Sequence, residues 1–133
     1  MGRHNFFYFT IEGDDLDPII LKEVIGLPCE TYYKGQKTLV YGKKEVESVS
    51  TRWVYEAIVE DKTKKHKRTI IFLVKHLSVI AEKLPILKDY INKYDATIDL
   101  VIYDDDKDNN ILLDTNIINL LSKIGAKFSI TFH

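Results

Sequence analysis

Twice in this chain an alternating apolar run gives way to aspartates, then to a helical stripe, then to glycine. The first copy is "FTIEGDDLDPIILKEVIG", residues 9–26. The second is "LVIYDDD" followed after a short gap by "LLDTNIINLLSKIG". A period of two marks a strand and a period near 3.6 marks a helix. Each copy therefore commits the chain to a strand-to-helix junction. Asp17 and Asp114 stand at N-cap positions, where a carboxylate accepts bonds from the first free backbone N–H groups. Pro18 fits the first helical position, and Gly26 and Gly125 stand where helices end. The two stretches read either as a weak internal repeat or as two generic capped junctions, and the sequence leaves both open.

The remaining segments fill in the same architecture. "NFFYFTIE" alternates Phe7, Phe9 and Ile11 with Phe6, Tyr8 and Thr10, as a strand does. The first helix is expected to bury Ile19, Ile20, Val24 and Ile25. "LPCETYYKGQKT" reads as a loop. From Glu45 to Glu60 one or two strands are expected, with Trp53, Tyr55, Ala57 and Val59 on one face. "DKTKKHKR" reads as a basic surface connection. "TIIFLVKHLSVIAEKL" carries Ile70, Leu73, Val74, Leu77, Ile80, Ala81 and Leu84 at helical spacing. Pro85 breaks or kinks that helix, and a second short one follows with Ile86, Leu87, Tyr90 and Ile91. "DATIDLVIY" is a strand with Ile98, Leu100 and Ile102 inward. The last helix carries Ile117, Ile118, Leu120, Leu121 and Ile124, and "AKFSITFH" is a final strand with Phe128, Ile130 and Phe132 inward. The expected fold class is α+β in a single domain, residues 1–133. It has a mostly antiparallel sheet of about five strands with three to four helices packed largely on one face.

Bulk properties narrow the function. A chain of 133 residues is long enough for a hydrophobic core without staples. The net charge of −1 supplies no global field toward nucleic acid or membrane. One cysteine, Cys29, excludes a disulfide framework and fits a reducing compartment. The start "MGRHNFFYFT" has no apolar stretch of signal-peptide length, and Phe6 stands where a myristoylation site needs Ser or Thr. The longest apolar run is far too short to span a bilayer. The expectation is a soluble cytoplasmic protein with no membrane partner.

The order of "YFTIEGDDLDP", "GLPCETYYKGQ", the Trp53 strand and "VIYDDD…LLDTNIINLLSKIGAKFSITFH" resembles a bacterial family known as domain of unknown function 4279. The resemblance covers most of the chain. It implies a small α+β domain with an antiparallel sheet and carries no catalytic residue with it. Such domains occur among small bacterial proteins that include toxin-immunity candidates, which implies a binding role.

The candidate chemistry is sparse. Asp104, Asp106 and Asp108 match the opening of a calcium loop, but Asn109 stands where the turn needs Gly and Thr115 where a bidentate Glu belongs. Glu12, Asp14, Asp15 and Asp17 follow one strand, and Asp104, Asp105 and Asp106 follow another. If those strands run parallel and adjacent, the two carboxylate groups share one edge and could hold Mg²⁺ or act in acid–base work. His4, His66, His76 and His133 show no zinc spacing, and Cys29 has no cysteine partner. Cys29 beside Pro28 reads as a packed residue rather than a nucleophile. The run "KTKKHKR", with Lys34, Lys37, Lys43 and Lys44 near Tyr32, Tyr33 and Tyr41, could contact phosphates and bases. Acidic loops oppose that reading.

The expectation is therefore a non-enzymatic protein-binding domain with no cofactor and no metal, of immunity type, whose partner is a protein such as a basic toxin. Asp14, Asp15, Asp104, Asp105 and Asp106 would meet the partner's positive charge, and Tyr32 and Tyr33 would anchor it. Two alternatives stay open. One is a metal-dependent or small-ligand enzyme using the acidic loops. The other is a self-associating module, a homodimer paired through residues 126–133.

Overall fold

The computed structural model describes residues 3–40, 44–103 and 111–133. Among these residues seven strands and four α-helices follow in the order β1 (Arg3–Glu12), α1 (Pro18–Ile25), β2 (Glu30–Tyr32), β3 (Lys37–Val40), β4 (Lys44–Glu47), β5 (Arg52–Asp61), α2 (Lys67–Glu82), α3 (Leu84–Lys93), β6 (Asp95–Ile102), α4 (Thr115–Ile124) and β7 (Lys127–Phe132). Five strands form one sheet in the order β2-β5-β1-β6-β7, and β3 and β4 form a separate ribbon. β1 is antiparallel to both β5 and β6, whereas β6 and β7 run parallel with α4 as their crossover. The sheet is thus mixed but mostly antiparallel, and the fold is α+β.

β1 takes the centre because both of its faces carry large apolar groups. Phe7, Phe9 and Ile11 are fully buried under the helices. The register sets Phe9 between Tyr55 and Ile98, and Ile11 between Trp53 and Ala96. Above them pack Leu21, Leu73, Leu77, Ile80, Leu87, Ile117 and Ile124, all without exposed surface. Each such side chain contributes about 1.5–3 kcal/mol of transfer free energy.

The capped junctions form as their residues require. Asp17 Oδ1 accepts from the Ile19 and Ile20 N–H groups at 3.1 and 3.4 Å. Asp114 Oδ1 accepts from Ile117 at 2.9 Å. Gly26 and Gly125 close their helices at φ 68° and 78°, where a side chain would be strained.

Several expectations need correction. The first helix buries Leu21 and Ile25 with Pro18, while Ile19 and Ile20 stay 50% and 48% exposed. Positions 18, 21 and 25 share one helical face, and 19 and 20 turn away from it. Ile118 is likewise exposed on α4. The segment expected as a loop after Gly26 contains β2 and the start of β3. The break near Pro85 falls at Lys83, and Pro85 sits in the first turn of α3, where its missing N–H costs nothing.

The basic connection is anchored at both ends. The Asp61 carboxylate accepts from the Thr63 N–H at 2.8 Å and from the Thr69 N–H and hydroxyl, each at 2.7 Å. It also accepts from the Thr63 hydroxyl. Asn5 donates to Thr69 Oγ1 at 2.9 Å and accepts from the Tyr103 N–H at 3.0 Å. Burial alone would raise the Asp61 pKa, but the bonds from Thr63 and Thr69 outweigh it and hold the carboxyl below its usual range.

Candidate functional site

Alternation along each strand sends half of the side chains away from the helices. Phe6, Tyr8, Thr10 and Glu12 point there from β1. The register places Glu56 and Asp99 on either side of Tyr8, and Ile58 and Val101 on either side of Phe6. Phe6 and Tyr8 stack at 6.0 Å, and Tyr103 meets the edge of Phe6 at 5.8 Å. Tyr103 in turn stacks on His133 at 5.0 Å. This open face therefore has an aromatic and apolar centre.

Its rim is acidic. Glu12, Glu30, Glu56, Glu60, Asp95 and Asp99 share the face, by register, with the cations Arg52 and Lys127. Lys127 pairs with Asp95 at 3.0 Å, and Lys62 reaches Glu60 at 3.5 Å. Arg52 lies over the Tyr32 ring at 4.7 Å, and Tyr32 donates to Glu30 at 2.5 Å. Asp99 is held by the Ser129 and Thr131 hydroxyls at 2.8 and 3.2 Å, and Glu12 by the Ser50 hydroxyl at 2.7 Å. Hydroxyls orient a carboxylate without cancelling its charge. Among the described residues, no cation pairs with Glu12, Glu30, Glu56 or Asp99.

The charge is felt by the tyrosines. Burial, then Glu56, Tyr103 and Asp99, raise the Tyr8 pKa. The bond to Glu30, then burial, raises that of Tyr32. Between them lies a shallow depression of about 430 Å³, lined by Tyr8, Thr10, Tyr32, Arg52, Glu56 and Asp99 among others.

The residues singled out from sequence fall in three places. Asp14 and Asp15 lie in the turn after β1, largely exposed, facing Lys34 at 3.5 Å and Lys93 at 3.9 Å. Exposed pairs of this kind contribute little. The Tyr32–Tyr33 turn lies beside them, since Lys34 donates its N–H to Thr51 and Thr51 accepts from Gly13. Tyr32 belongs to the open face, whereas Tyr33 is 40% exposed in the turn beyond it. Asp104, Asp105, Asp106 and Asp108 lie outside the described residues.

The strands leading into the two acidic loops are adjacent but antiparallel, with Glu12 opposite Asp95 and Phe6 opposite Val101. The loops therefore leave opposite ends of the sheet, and the condition for a shared carboxylate edge is not met. Among the described residues no group of three His, Cys, Asp or Glu side chains is placed to hold a metal ion. Nor is any helix among them long and apolar enough to cross a membrane.

Two half-buried polar groups complete the picture. His76 Nδ1 lies 2.5 Å from the Tyr55 hydroxyl, with Phe7 and Phe72 packed on its ring. Burial and then Lys75 push its pKa down. Cys29 is half-buried, and burial foremost pushes its thiol up. A thiol held protonated is a weak nucleophile.

Sequence reasoning missed Tyr8, Glu56 and Asp99 as partners. The available signal was that the outward positions of "NFFYFT" are as aromatic as the inward ones, which a fully solvated face does not require.

The family model described as "Domain of unknown function (DUF4279)" matches residues 3–133. The chain belongs to that family. No curated protein and no solved structure matches it.

Proposed function

We propose that this member of the DUF4279 family is a non-enzymatic protein-binding domain that receives a cationic partner on the open face of its sheet. The observation that carries the reading is the aromatic centre of Phe6, Tyr8 and Tyr103 inside a rim of carboxylates, four of which have no cation paired to them among the described residues. Tyrosine supplies large contact area at low entropic cost and is enriched where interfaces hold most of their energy. Unpaired carboxylates attract a positive partner, speed its encounter and repel polyanions. A toxin acting on nucleic acid carries such positive charge, so neutralisation of a basic toxin is the narrower form of the proposal. Asp14 and Asp15 extend the acidic surface at one end, and Asp104, Asp105 and Asp106 stay part of the proposed partner contact.

The test is affinity capture of partners on the purified chain, eluted with a salt gradient, beside a Glu56→Lys/Asp99→Lys double variant. A basic protein released by salt from the native chain and absent from the variant supports the proposal. A partner retained equally by both removes the open face from the argument.

A further inference from the structure

β1 pairs with the whole length of β5, Arg52–Asp61, on one side. On the other side β2 pairs only with Arg52, Trp53 and Val54. Among the described residues nothing pairs with Tyr55–Asp61 on that side. The reason β2 stops is local. Carrying its register one step past Cys29 would set Pro28 against Glu56, and proline has no N–H for a ladder. The chain turns away there and leaves a groove of about 410 Å³ lined by Pro28, Cys29, Glu30, Val54, Glu56, Ala57 and Ile58.

A bare edge is a template for another strand, and its side chains decide which one. Tyr55 and Val59 are buried toward the helices. Glu56, Ile58 and Glu60 point to the open face and are exposed, Ile58 by 53%. A second copy pairing antiparallel across the whole of Tyr55–Asp61 would centre on Ile58. Each Glu56 would then face Glu60 of the other chain, and like charges directly opposed are destabilising. The edge thus rejects itself. It suits a strand that brings positive charge to the two glutamates and an apolar side chain to Ile58. Glu60 already touches Lys62 at 3.5 Å, but both groups are exposed and that pair yields readily.

We infer that the bare segment Tyr55–Asp61 takes up an extended strand of the partner protein, with Lys or Arg opposite Glu56 and Glu60 and an apolar residue opposite Ile58. The inference rests on the protein-binding reading and names its mode, in which backbone bonds give affinity and alternate side chains give specificity. The partner strand extends the sheet beside the aromatic open face, so the rest of the partner can lie over Tyr8 and Phe6.

The test uses the full chain and a blocked peptide, Thr-Lys-Thr-Val-Thr-Lys-Thr, followed by amide shifts in a two-dimensional NMR titration. Two further peptides serve as controls. One has Glu in place of both Lys, and one is N-methylated at alternate positions so that it keeps its charge but cannot form the ladder. The expected result is saturable shifts centred on Tyr55–Asp61. The Glu peptide should bind at least about fivefold more weakly, and the N-methylated peptide should not bind the edge. Equal binding of the N-methylated peptide, shifts confined to Tyr8, Tyr32 and Asp99, or no shifts at millimolar peptide would each overturn strand addition. The proposed function fails separately: capture indifferent to Glu56→Lys/Asp99→Lys removes the open face, and no partner captured by the native chain removes the protein-binding role.

Discussion

Replacing Asp61 by Ala tests the clasp that fixes the end of β5 to the start of α2. The carboxylate accepts two bonds from Thr69 and two from Thr63. Hydrogen bonds to a charged group contribute about 1.5–3 kcal/mol each, but four bonds on one carboxylate do not add. The bonds to the buried Thr69 dominate, because its N–H and hydroxyl lose an acceptor that water cannot easily replace. The loss is about 3 kcal/mol. For a chain of this size that lowers Tm by about 10 °C. Urea unfolding followed by far-UV circular dichroism measures it, with m unchanged. The pH dependence carries a sign. The folded pKa of Asp61 lies below its ordinary 3.8, so its contribution is present above that value and is lost as the pH falls below it. The gap between native chain and variant should narrow in acid. A loss under about 1 kcal/mol at pH 7 would refute the clasp as an energetic centre.

Other outcomes follow from the same geometry. Partial burial, then Lys75, lowers the folded pKa of His76 below the ordinary 6.5. Its share of stability is therefore present above 6.5 and declines as the pH falls below it. Melting curves from neutral to mildly acidic pH should slope less in His76→Phe than in the native chain. Gly26→Ala meets no neighbouring atom but sits at φ 68°, so it should cost about 1 kcal/mol in chemical denaturation through backbone strain alone. Gly13→Ala should cost more, about 1–3 kcal/mol, because the new Cβ would collide with the Tyr94 ring. Cys29 should react with a disulfide reagent more slowly than a free thiol at pH 8 and reach the free rate in denaturant, since burial raises its pKa.

The core was legible because its signals are local. An N-cap, a C-cap glycine and a period of two or 3.6 are written within a few residues, so β1, β6, α2 and α4 could be read directly. Short helices were read less well. Ile19 and Ile20 looked inward because apolar neighbours suggest a stripe, but a helix of Pro18–Ile25 has room for one face only, and Leu21 and Ile25 fill it. β2 was missed because Glu30–Tyr32 is too short to show a period and forms only against Arg52–Val54. The basic run hid Asp61 and Thr69, whose importance depends on each other and on Asn5, far away in sequence.

The layout of the acidic and aromatic side chains was not legible. That the chain is rich in carboxylates and tyrosines could be read from composition; which of them meet could not. Whether Asp14 and Asp104 share an edge depends on the direction of two neighbouring strands, and period-two alternation is the same in either direction. Reversing one strand moves its loop to the other end of the sheet, while the side chains within the strand keep their rows. The antiparallel pairing of β1 with β6 thus separates the loops and at the same time aligns Tyr8 with Asp99. The antiparallel pairing of β1 with β5 does the same for Tyr8 and Glu56. On the strands, the hydroxyls of Ser129 and Thr131 hold Asp99 in place and that of Ser50 holds Glu12. A charge-reversing change at Asp99 should consequently weaken partner binding more than the same change at Asp14, whose exposed side chain already faces Lys34. Equal losses in a binding titration at two salt concentrations would mean that net charge, and not its arrangement on the sheet, draws the partner.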